Sequence, residues 1–346
     1  MSGKASGSEP AKQIGLMKWR KSFRHRELSD DAGSRERRLV TRVGEVTFAN
    51  PIMVASGVAG HGTELASYVD MASLGAIVVK SLSSFEWKGN PAPRLHPVTA
   101  GMMNAVGLQG PGIIRWKAEE LPDLLATGAK IVVSIWGRSL NEYAEAAAML
   151  ADLPEQVVAV EVNLSCPNLK GKGMFAQSAD LAAEAMAITA VCNRPRWAKL
   201  TAAVTDLVAI ATSVRDAGAA AVTLINTVPG LALNIETRMP QLGNGPGGLS
   251  GPAIHPVAVK AVWDVHAALP NLPIVGVGGV ASAHDVVELM LAGASAVQIG
   301  TAVFASPKLP GIILRDFATW CEQHHVASID QLVGAAHERP KRTRND

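Results

Sequence analysis

Polar side chains cluster at the ends of the buried strands that the sequence predicts. Lys80 follows the second apolar run, Asn163 and Cys166 follow the fourth, Lys199 lies in the fifth, and Asn226-Thr227 follow the sixth. Buried amide and ammonium groups need hydrogen-bond partners, and a planar ligand rich in carbonyl groups would supply them. Lys and Asn together can hold an anionic, imide-containing ring by charge-assisted and directional hydrogen bonds. One such lysine would be as well explained by an ion pair, but two lysines and several asparagines on one face indicate a ligand site.

Glycine dominates the ends of the late strands. Gly247–Gly251 precede a predicted helix, Gly276–Gly279 end the seventh apolar run, and Gly300-Thr301 end the eighth. Backbone N–H groups in such loops can approach a phosphate without obstruction by side chains. Gly276 to Ala281 also fits the dinucleotide pattern G-x-G-x-x-A, but its place on the seventh of eight strands favours a mononucleotide such as FMN. Tight turns between strand and helix are the alternative explanation.

Cys166 is placed among polar residues, in the segment Asn163-Leu164-Ser165-Cys166-Pro167-Asn168. A thiolate in such a loop can act as a nucleophile or a general base, although a cysteine after a buried strand is more often an inert apolar residue. Cys192 and Cys321 lie on predicted helices and are expected in the core. The three cysteines form no C-x-x-C pair, which argues against a disulfide framework or an iron–sulfur cluster within this chain.

Eight short apolar runs alternate with helix-forming stretches. Continuous apolar character, without alternation, is typical of parallel strands buried on both faces. Eight strands alternating with helices predict an α/β protein with a (β/α)8 TIM barrel, whereas a doubly wound sheet would not require eight. The predicted strands are Pro51–Gly57, Ala76–Ser81, Lys130–Gly137, Val157–Cys166, Arg196–Thr201, Ala220–Thr227, Leu272–Gly279 and Ala296–Phe304. The clearest helices are Asp180–Cys192, Asp206–Ala217, His255–Ala268 and Ala283–Ala292.

Two connections are too long for a simple crossover. Residues 82–129, between the second and third strands, contain the Gly-rich stretch Gly101–Gly112, and residues 228–252, between the sixth and seventh, contain Gly243–Gly251. Both follow the C-terminal ends of strands, where barrel enzymes carry their active sites. Long loops inside a compact domain are more often functional than idle. We therefore expect both connections to lie over the C-terminal face.

Composition and charge predict a large core with a polar segment at each end. Of the 346 residues, 48% are hydrophobic and 18% are charged, which excludes wholesale disorder. No apolar run reaches the roughly 18 residues of a membrane-spanning helix, and no secretory leader is recognisable, so a cytoplasmic protein is expected. We predict a basic, flexible extension over residues 1–42, the barrel over 43–325 and a polar tail over 326–346.

The basic excess is confined to the N-terminal extension. Residues 1–42 carry eleven Lys or Arg and five Asp or Glu side chains, while the whole chain carries a net charge of only +2. A nucleic-acid-binding surface is therefore not indicated. Leu16, Trp19 and Phe23 have helical spacing between basic residues, so a short amphipathic helix that lies on a membrane or a partner is the alternative to a solvated extension.

The segment Asn163–Asn168 resembles the active-site loop of class 1 dihydroorotate dehydrogenases, whereas the membrane-associated class 2 enzymes carry Ser at the position of Cys166. The resemblance covers about residues 45–305. Asn104–Gln109 followed by Gly110-Pro111-Gly112, together with Thr227, is most similar to the B-type of class 1. The other motifs that carry the resemblance are Ala55-Ser56-Gly57, Lys80-Ser81, Asn90–Arg94, Gly101–Asn104, Lys199, Ile225–Thr227, Gly247–Gly251, Gly278-Gly279 and Gly300-Thr301.

The resemblance implies FMN-dependent oxidation of (S)-dihydroorotate to orotate in de novo pyrimidine (UMP) biosynthesis. It implies that Cys166 removes the C5 proton while hydride passes from C6 to the flavin N5, and that Lys80 contacts both flavin and substrate carboxylate. The implied substrate-binding residues are Lys80, Asn104, Val106, Gly107, Leu108, Asn163, Asn168, Asn226 and Thr227. The implied FMN-binding residues are Ala55, Ser56, Gly57, Lys80, Ser81, Ser134, Asn163, Lys199, Ser250, Gly251, Gly278, Gly279, Gly300 and Thr301.

The resemblance also implies partners. B-type enzymes bind FMN in this chain and pass electrons to NAD through a separate FAD/iron–sulfur subunit, so we expect such a subunit and a homodimeric core. We expect no bound metal, no nucleic acid and no transmembrane segment. The basic extension is longer than B-type chains usually need, and its purpose is open.

Ser134 departs from the pattern of this family, which often presents Asn toward the flavin at that position. Two alternative functions also have to be weighed. Trp197–Thr201 with Val204-Thr205-Asp206 also resembles the pyrimidine-binding half of dihydropyrimidine dehydrogenases, which share the Asn-x-Ser-Cys-Pro loop but reduce uracil and thymine. Asn104–Leu108 favours dihydroorotate over these neutral pyrimidines. A flavin-free phosphate-binding barrel would need an acidic residue among the strand ends, and the sequence pattern shows none there.

Overall fold

The computed structural model describes residues 38–165 and 175–338, and its centre is a closed barrel. Within these residues the strands are β1 (Thr41–Val43), β2 (Val46–Phe48), β3 (Ile52–Val54), β4 (Ala76–Val78), β5 (Leu95–Val98), β6 (Gly101–Asn104), β7 (Ile131–Ile135), β8 (Val157–Asn163), β9 (Arg196–Lys199), β10 (Ala221–Leu224), β11 (Val228–Gly230), β12 (Leu233–Asn234), β13 (Met239–Pro240), β14 (Gly247–Ser250), β15 (Ile274–Val277) and β16 (Ala296–Ile299).

Eight parallel strands close the barrel in chain order: β3, β4, β7, β8, β9, β10, β15 and β16. Each of the eight predicted apolar runs contains one of these strands. Their residues are almost all buried because side chains point alternately into the barrel and toward the surrounding helices. The predicted (β/α)8 barrel is therefore confirmed.

Helices surround the barrel and begin where a polar side chain can cap them. The α-helices of the described residues are α1 (Ile113–Glu119), α2 (Leu121–Ala126), α3 (Leu140–Ala148), α4 (Ala179–Ile188), α5 (Leu207–Asp216), α6 (His255–Ala268), α7 (Ala283–Ala292), α8 (Ala302–Ala305) and α9 (Leu309–Gln323). Ser139, Ser178, Asp206 and Ser282 each accept a hydrogen bond from the backbone N–H three residues further on. Short 3-10 helices are Met71–Ser73, Phe175–Gln177, Thr189–Cys192, Pro252–Ile254, Ile329–Gln331 and Ala335–Glu338.

The N-terminal end of the barrel is closed by the β1–β2 hairpin. Val43 and Phe48 of the hairpin are wholly buried against the lowest layer of the barrel interior, which includes Trp197. The rings of Phe48 and Trp197 meet edge to face with centroids 6.0 Å apart. The Thr41 hydroxyl donates to the Ser295 carbonyl at 2.6 Å, which ties the hairpin to the start of β16. Residues 1–37 of the predicted extension lie outside the described residues.

The two long connections meet in one antiparallel sheet at the C-terminal end of the barrel. Its strand order is β11-β14-β6-β5. β5 and β6 come from the first connection, β11 and β14 come from the second, and Asn104 of β6 lies opposite Gly248 of β14. We call these four strands the covering sheet. The predicted position of both connections is thus confirmed, while their mutual pairing was not predicted.

Packing continues past residue 325, where the sequence analysis ended the barrel. Val326, Ile329 and Leu332 are buried in the main core, and the Gly334 N–H donates to the Met290 carbonyl at 2.9 Å. The polar tail predicted over 326–346 therefore begins with a packed segment, and residues 339–346 lie outside the described residues. Among the described residues, no helix combines the length and the apolar character needed to cross a membrane.

Candidate active site

A cavity of about 1030 Å³, including its open mouth, lies where the C-terminal ends of the barrel strands meet the covering sheet. Its walls bring the lysine- and asparagine-bearing strand ends together with the glycine-rich loops. The predicted site residues that line it are Ala55, Ser56, Gly57, Lys80, Ser81, Asn104, Val106, Gly107, Leu108, Asn163, Lys199, Asn226, Thr227, Ser250, Gly251, Gly278, Gly279, Gly300 and Thr301.

Asn163 is the centre of a hydrogen-bond network on the cavity wall. Its Nδ2 donates to Ser81 Oγ at 3.1 Å, and its Oδ1 accepts from Asn226 Nδ2 at 3.3 Å. Asn226 Nδ2 also donates to Ser165 Oγ at 3.0 Å. The Tyr143 hydroxyl donates to the Asn163 backbone carbonyl at 2.8 Å and holds the end of β8 from behind. These bonds fix the orientation of two amide groups before any ligand binds.

Ser134 does not share the cavity wall with the other predicted residues. It is wholly buried on β7, and its Oγ lies 2.8 Å from Ser81 Oγ. A ligand at the wall would meet Ser81, with Ser134 behind it. A direct contact between Ser134 and a cofactor therefore has no support from this position.

Lys80 and Lys199 supply positive charge to the cavity. Lys199 Nζ lies 3.2 Å from Glu161 Oε1, and Glu161 Oε2 accepts from Gln298 Nε2 at 3.0 Å. Glu161 is wholly buried and the Lys199 side chain is 7% exposed. Glu161 precedes Asn163 by two residues on β8, so both side chains point into the barrel. The sequence analysis found no acidic residue among the strand ends; Glu161 corrects it, one layer below the cavity and paired with a cation.

His61 lies beside Lys80 at the rim of a second recess, which also includes Trp87 and Arg115. Burial, together with the positive charge of Lys80 and against the opposing effect of Glu64, lowers the pKa of His61 to about 4. His61 is therefore a neutral imidazole at neutral pH and adds no positive charge next to Lys80. The sequence analysis gave this residue no role.

The glycine-rich end of the cavity is packed tightly from behind. Gly279 has φ +69°, and a Cβ on it would lie 2.7 Å from the His255 Cβ and 2.9 Å from the Gly251 carbonyl oxygen. Any other residue would therefore be strained in backbone and in space. His255 Nδ1 donates to the Gly278 carbonyl at 2.8 Å and supports this turn. The turn presents bare backbone to the cavity, as a phosphate requires.

The covering sheet and residues 106–108, which follow β6, form the remaining wall. Asn104 Nδ2 donates to the Gly248 carbonyl at 3.3 Å, which joins β6 to β14 at the cavity. Gly107 (φ +75°) and Leu108 (φ +62°) both have left-handed backbone. The Trp87 indole N–H donates to the Gly107 carbonyl at 2.9 Å. This wall is thus shaped largely by backbone.

The sequence was compared with known proteins. The family model described as "Dihydroorotate dehydrogenase" matches residues 38–319. A relative from Pelobacter propionicus, named "Dihydroorotate dehydrogenase B (NAD(+)), catalytic subunit", is 45% identical over 302 residues, which are 86% of this chain and 98% of the relative. A relative of the same name from Geotalea uraniireducens is 42% identical over 299 residues, 86% of this chain and 97% of the relative.

The chain belongs to the dihydroorotate dehydrogenase family. It is an oxidoreductase of pyrimidine biosynthesis that oxidises dihydroorotate, and the predicted likeness to class 1, B-type enzymes is confirmed. Reduction of uracil or thymine, the alternative left open by the sequence, is not favoured. Dihydroorotate dehydrogenases are in general flavin-dependent.

The cavity fits the flavin of a dihydroorotate dehydrogenase. Among the described residues, apart from its two chain neighbours, a Cβ on Gly300 would meet only the Ala55 Cβ, at 3.8 Å, so glycine leaves open the space that a side chain would fill. A Cβ on Gly57 would likewise lie 3.9 Å from Lys80 Nζ, within the cavity wall. Bare backbone at one end and amide, hydroxyl and ammonium groups at the other match a phosphate and a carbonyl-rich ring.

Two predicted residues of the dihydroorotate dehydrogenase site, Cys166 and Asn168, lie outside the described residues. Described structure reaches Ser165, whose Oγ is hydrogen-bonded to Asn226. The role of Cys166 is therefore still a prediction.

Seven apolar lining residues were not among the predicted site residues, because a hydrophobic side chain by itself carries no signal that separates a cavity wall from a core. They are Val58, Leu95, Met102, Ile225, Ile254, Val277 and Phe304. Glu161 and Gln298 were missed too, although a charged or amide residue inside an otherwise apolar strand was a usable signal.

Proposed function

We propose that the cofactor of this dihydroorotate dehydrogenase is FMN and that it is bound in the cavity at the C-terminal end of the barrel. The observation that carries the proposal is that one cavity has a glycine-rich end, where backbone is bare, and a polar end with amide, hydroxyl and ammonium groups. Gly278, Gly279, Gly300 and Thr301 would hold the phosphate, with Ala55, Ser56, Gly57, Ser250 and Gly251 beside them. Ser81, Asn163, Lys80 and Lys199 would hold the ring through hydrogen bonds and charge.

The substrate-binding residues follow from the groups that dihydroorotate carries. Its carboxylate needs a cation, which Lys80 supplies at the cavity wall. Its imide needs donors and acceptors in one plane, which Asn104, Asn163, Asn226 and Thr227 supply, together with Asn168 by resemblance. The backbone of Val106, Gly107 and Leu108, in the segment that follows β6, would close the site from the side of the covering sheet.

Proton removal is assigned to Cys166 on the strength of the loop resemblance. FMN, when bound, would supply the hydride acceptor for C6. Cys166 would act as the base at C5, since a cysteine pKa is nearer neutral than that of an aliphatic hydroxyl. The hydrogen bonds among Asn163, Ser165 and Asn226 would fix the start of the loop that carries Cys166. The covering sheet would exclude water and so strengthen these interactions.

We further propose that the enzyme is cytoplasmic, with a homodimeric core, and that its electrons reach NAD+ through a separate FAD/iron–sulfur subunit. The name of the relatives, which specifies NAD(+) and a catalytic subunit, supports the electron acceptor and the second subunit. The sequence also carries no C-x-x-C pair with which to hold an iron–sulfur cluster of its own. The purified chain should therefore reduce an artificial dye with dihydroorotate but should not reduce NAD+ until the second subunit is added.

The proposal is tested by an absorbance spectrum of the purified, FMN-reconstituted chain, repeated without oxygen after addition of L-dihydroorotate. Flavin bands that bleach within seconds are expected, and dihydrouracil serves as the control that leaves them unchanged. Persistent flavin bands with dihydroorotate would contradict the substrate assignment. A colourless protein after reconstitution would contradict the cofactor assignment.

A further inference from the structure

A layer of polar side chains lies inside the barrel directly beneath the cavity. It consists of Ser134 on β7, Glu161 on β8, Lys199 on β9, Thr223 on β10 and Gln298 on β16, and we call it the polar layer. Strand register places Ser134 beside Glu161 and Lys199 beside Thr223. All five residues are buried. The proposed function uses only Lys199 of this layer at the ligand.

The ion pair between Glu161 and Lys199 is expensive to bury. Moving two charges out of water carries a large desolvation penalty, and a well-packed apolar pair of the same volume is often at least as stable. Glu161 is nevertheless wholly buried and has no access to solvent. Stability alone therefore does not account for a carboxylate in this position.

Both oxygens of the Glu161 carboxylate are hydrogen-bonded, and one of these bonds restrains the Lys199 ammonium. A lysine ammonium is a compact charge on a flexible four-carbon stem and does not fix its own position. Lys199 Nζ donates to Glu161 Oε1 at 3.2 Å, and the other oxygen of Glu161 accepts from Gln298 Nε2 at 3.0 Å. Gln298 lies on β16 and Lys199 on β9, so Glu161 is held between two separate strands. Neither carboxylate oxygen can leave without breaking a buried hydrogen bond.

We propose that Glu161 is the positioning residue of this site, which holds the Lys199 ammonium at the floor of the cavity so that it faces the bound flavin. The inference rests on the proposed function, because the cavity must take FMN. Glu161 acts through Lys199 and has no contact with the cofactor of its own. Gln298 serves to keep Glu161 in place.

This role predicts the sign of a change in the flavin midpoint potential. A fixed positive charge beside the ring favours the reduced flavin, because reduction adds electrons. Without Glu161 the ammonium is no longer held, so the potential should become more negative, as it should when Lys199 itself is removed. If Glu161 acted instead through its own negative charge, its removal would make the potential more positive. The two roles therefore move the measurement in opposite directions.

The experiment is a double-mutant cycle in the full chain, with Glu161→Gln, Lys199→Met and the double variant. FMN affinity is measured by fluorescence titration and the midpoint potential by spectroscopic reduction. Each single variant should weaken FMN binding about tenfold or more and lower the potential, and the double variant should match Lys199→Met. Additive losses, or a potential that rises in Glu161→Gln, would overturn the proposal. Thr223→Val is the matched control in the same layer, because its hydroxyl has no partner among the described residues, and it should change neither quantity.

A parallel unfolding cycle without flavin separates this inference from the proposed function. Glu161→Gln leaves a buried ammonium without its counter-ion and should lower the unfolding free energy, while the double variant should regain much of that loss. If the wild-type chain binds no FMN, the proposed function fails, and coupling in this cycle still shows that Glu161 holds Lys199. If the two substitutions add without coupling, the positioning role fails even where FMN binds.

Discussion

The two ends of the barrel interior differ in the side chains that they contain, which are apolar at the N-terminal end and largely polar at the C-terminal end. At the N-terminal end, Phe48 and Trp197 pack edge to face in an apolar layer closed by a hairpin. At the C-terminal end, Asn163 and Lys199 are buried and Asn226 is half-buried, and all three polar side chains line a cavity. Burial of apolar surface stabilises the first end, whereas the second gives up apolar burial for fixed polar groups. Apolar packing and the polar cavity therefore lie at opposite ends of the barrel axis, and barrel enzymes carry their active sites at the C-terminal end.

The polar layer marks the boundary between the two ends. Below it, Val132 and Ala159 are apolar; one step along the same strands, Ser134 and Glu161 are polar and belong to the site above. Substitutions below the boundary should change the free energy of unfolding, and those above it should change ligand binding or turnover. The predictions that follow test this separation.

The largest effect is expected from Cys166→Ala. If Cys166 is the base, flavin reduction by dihydroorotate should slow by about 10²–10⁴-fold, while the unfolding temperature and FMN content stay unchanged. Rapid-mixing spectroscopy under anaerobic conditions measures the rate. Cys166→Ser should keep slow activity that recovers at high pH.

A matched control for the cysteine prediction is Cys321→Ala. Burial raises the pKa of the Cys321 thiol to about 11, so this side chain stays protonated and is remote from base chemistry. Its replacement should leave the rate of flavin reduction unchanged. Wild-type-like reduction in Cys166→Ala would refute Cys166 as the base and would leave the cavity without an assigned proton acceptor.

Phe48→Ala tests the opposite end of the barrel. Phe48 is wholly buried, and truncation of a buried aromatic ring typically lowers the unfolding free energy by about 3–5 kcal/mol. Chemical denaturation measures that loss, and Thr47→Ala on the exposed side of the same strand is the control. The folded Phe48→Ala protein should bind FMN with wild-type affinity. A large loss of FMN affinity in folded protein would show that the two ends are coupled and not separate.

The local parts of the fold were predictable from the sequence. Each barrel strand lies within a predicted apolar run, and α6 and α7 have the predicted bounds. Buried parallel strands need continuous apolar residues. Ser282 caps α7 by accepting a hydrogen bond from the backbone N–H of a residue only three positions further along the chain. Such signals are short-range, so a single sequence contains them.

Non-local features were not predictable in the same way. The pairing of Asn104 with Gly248 joins segments about 144 residues apart, and no local pattern specifies that register. The position of Ser134 behind Ser81 likewise depends on how two strands are staggered. The connection between β3 and β4, for which no helix was named from the sequence, contains turns and the 3-10 helix Met71–Ser73, in a stretch that includes Gly57, Gly60 and Gly62.

A smaller effect, on the pH dependence of stability, is expected from His61, which lies beside Lys80 at the second recess. Its folded-state pKa is about 4, below the roughly 6.5 of an unfolded chain. Between these values the unfolded chain binds a proton that the folded chain does not, so the unfolding free energy falls as pH falls from about 6.5 toward 4. Partial exposure limits this loss to at most about 2 kcal/mol.

Denaturation curves at several pH values measure the His61 effect. His61→Gln should reduce the acid-dependent loss of stability, and His284→Gln, at an exposed position on α7, should not. Equal acid dependence in wild type and His61→Gln would contradict a neutral buried imidazole beside Lys80.

The smallest effect, on FMN affinity, is expected from Ser134→Ala. This substitution tests whether the binding surface ends at Ser81 or extends to the polar layer. Ser134 is one hydrogen bond away from the cavity wall, so its loss should weaken FMN binding only through Ser81, by about 1 kcal/mol or less. Ser81→Ala removes a group from the wall itself and also leaves Asn163 Nδ2 without that partner, so its effect should be larger. FMN titration of both variants compares them directly. If Ser134→Ala weakened binding more than Ser81→Ala, the cofactor would reach Ser134, and the polar layer would belong to the binding surface instead of supporting it from below.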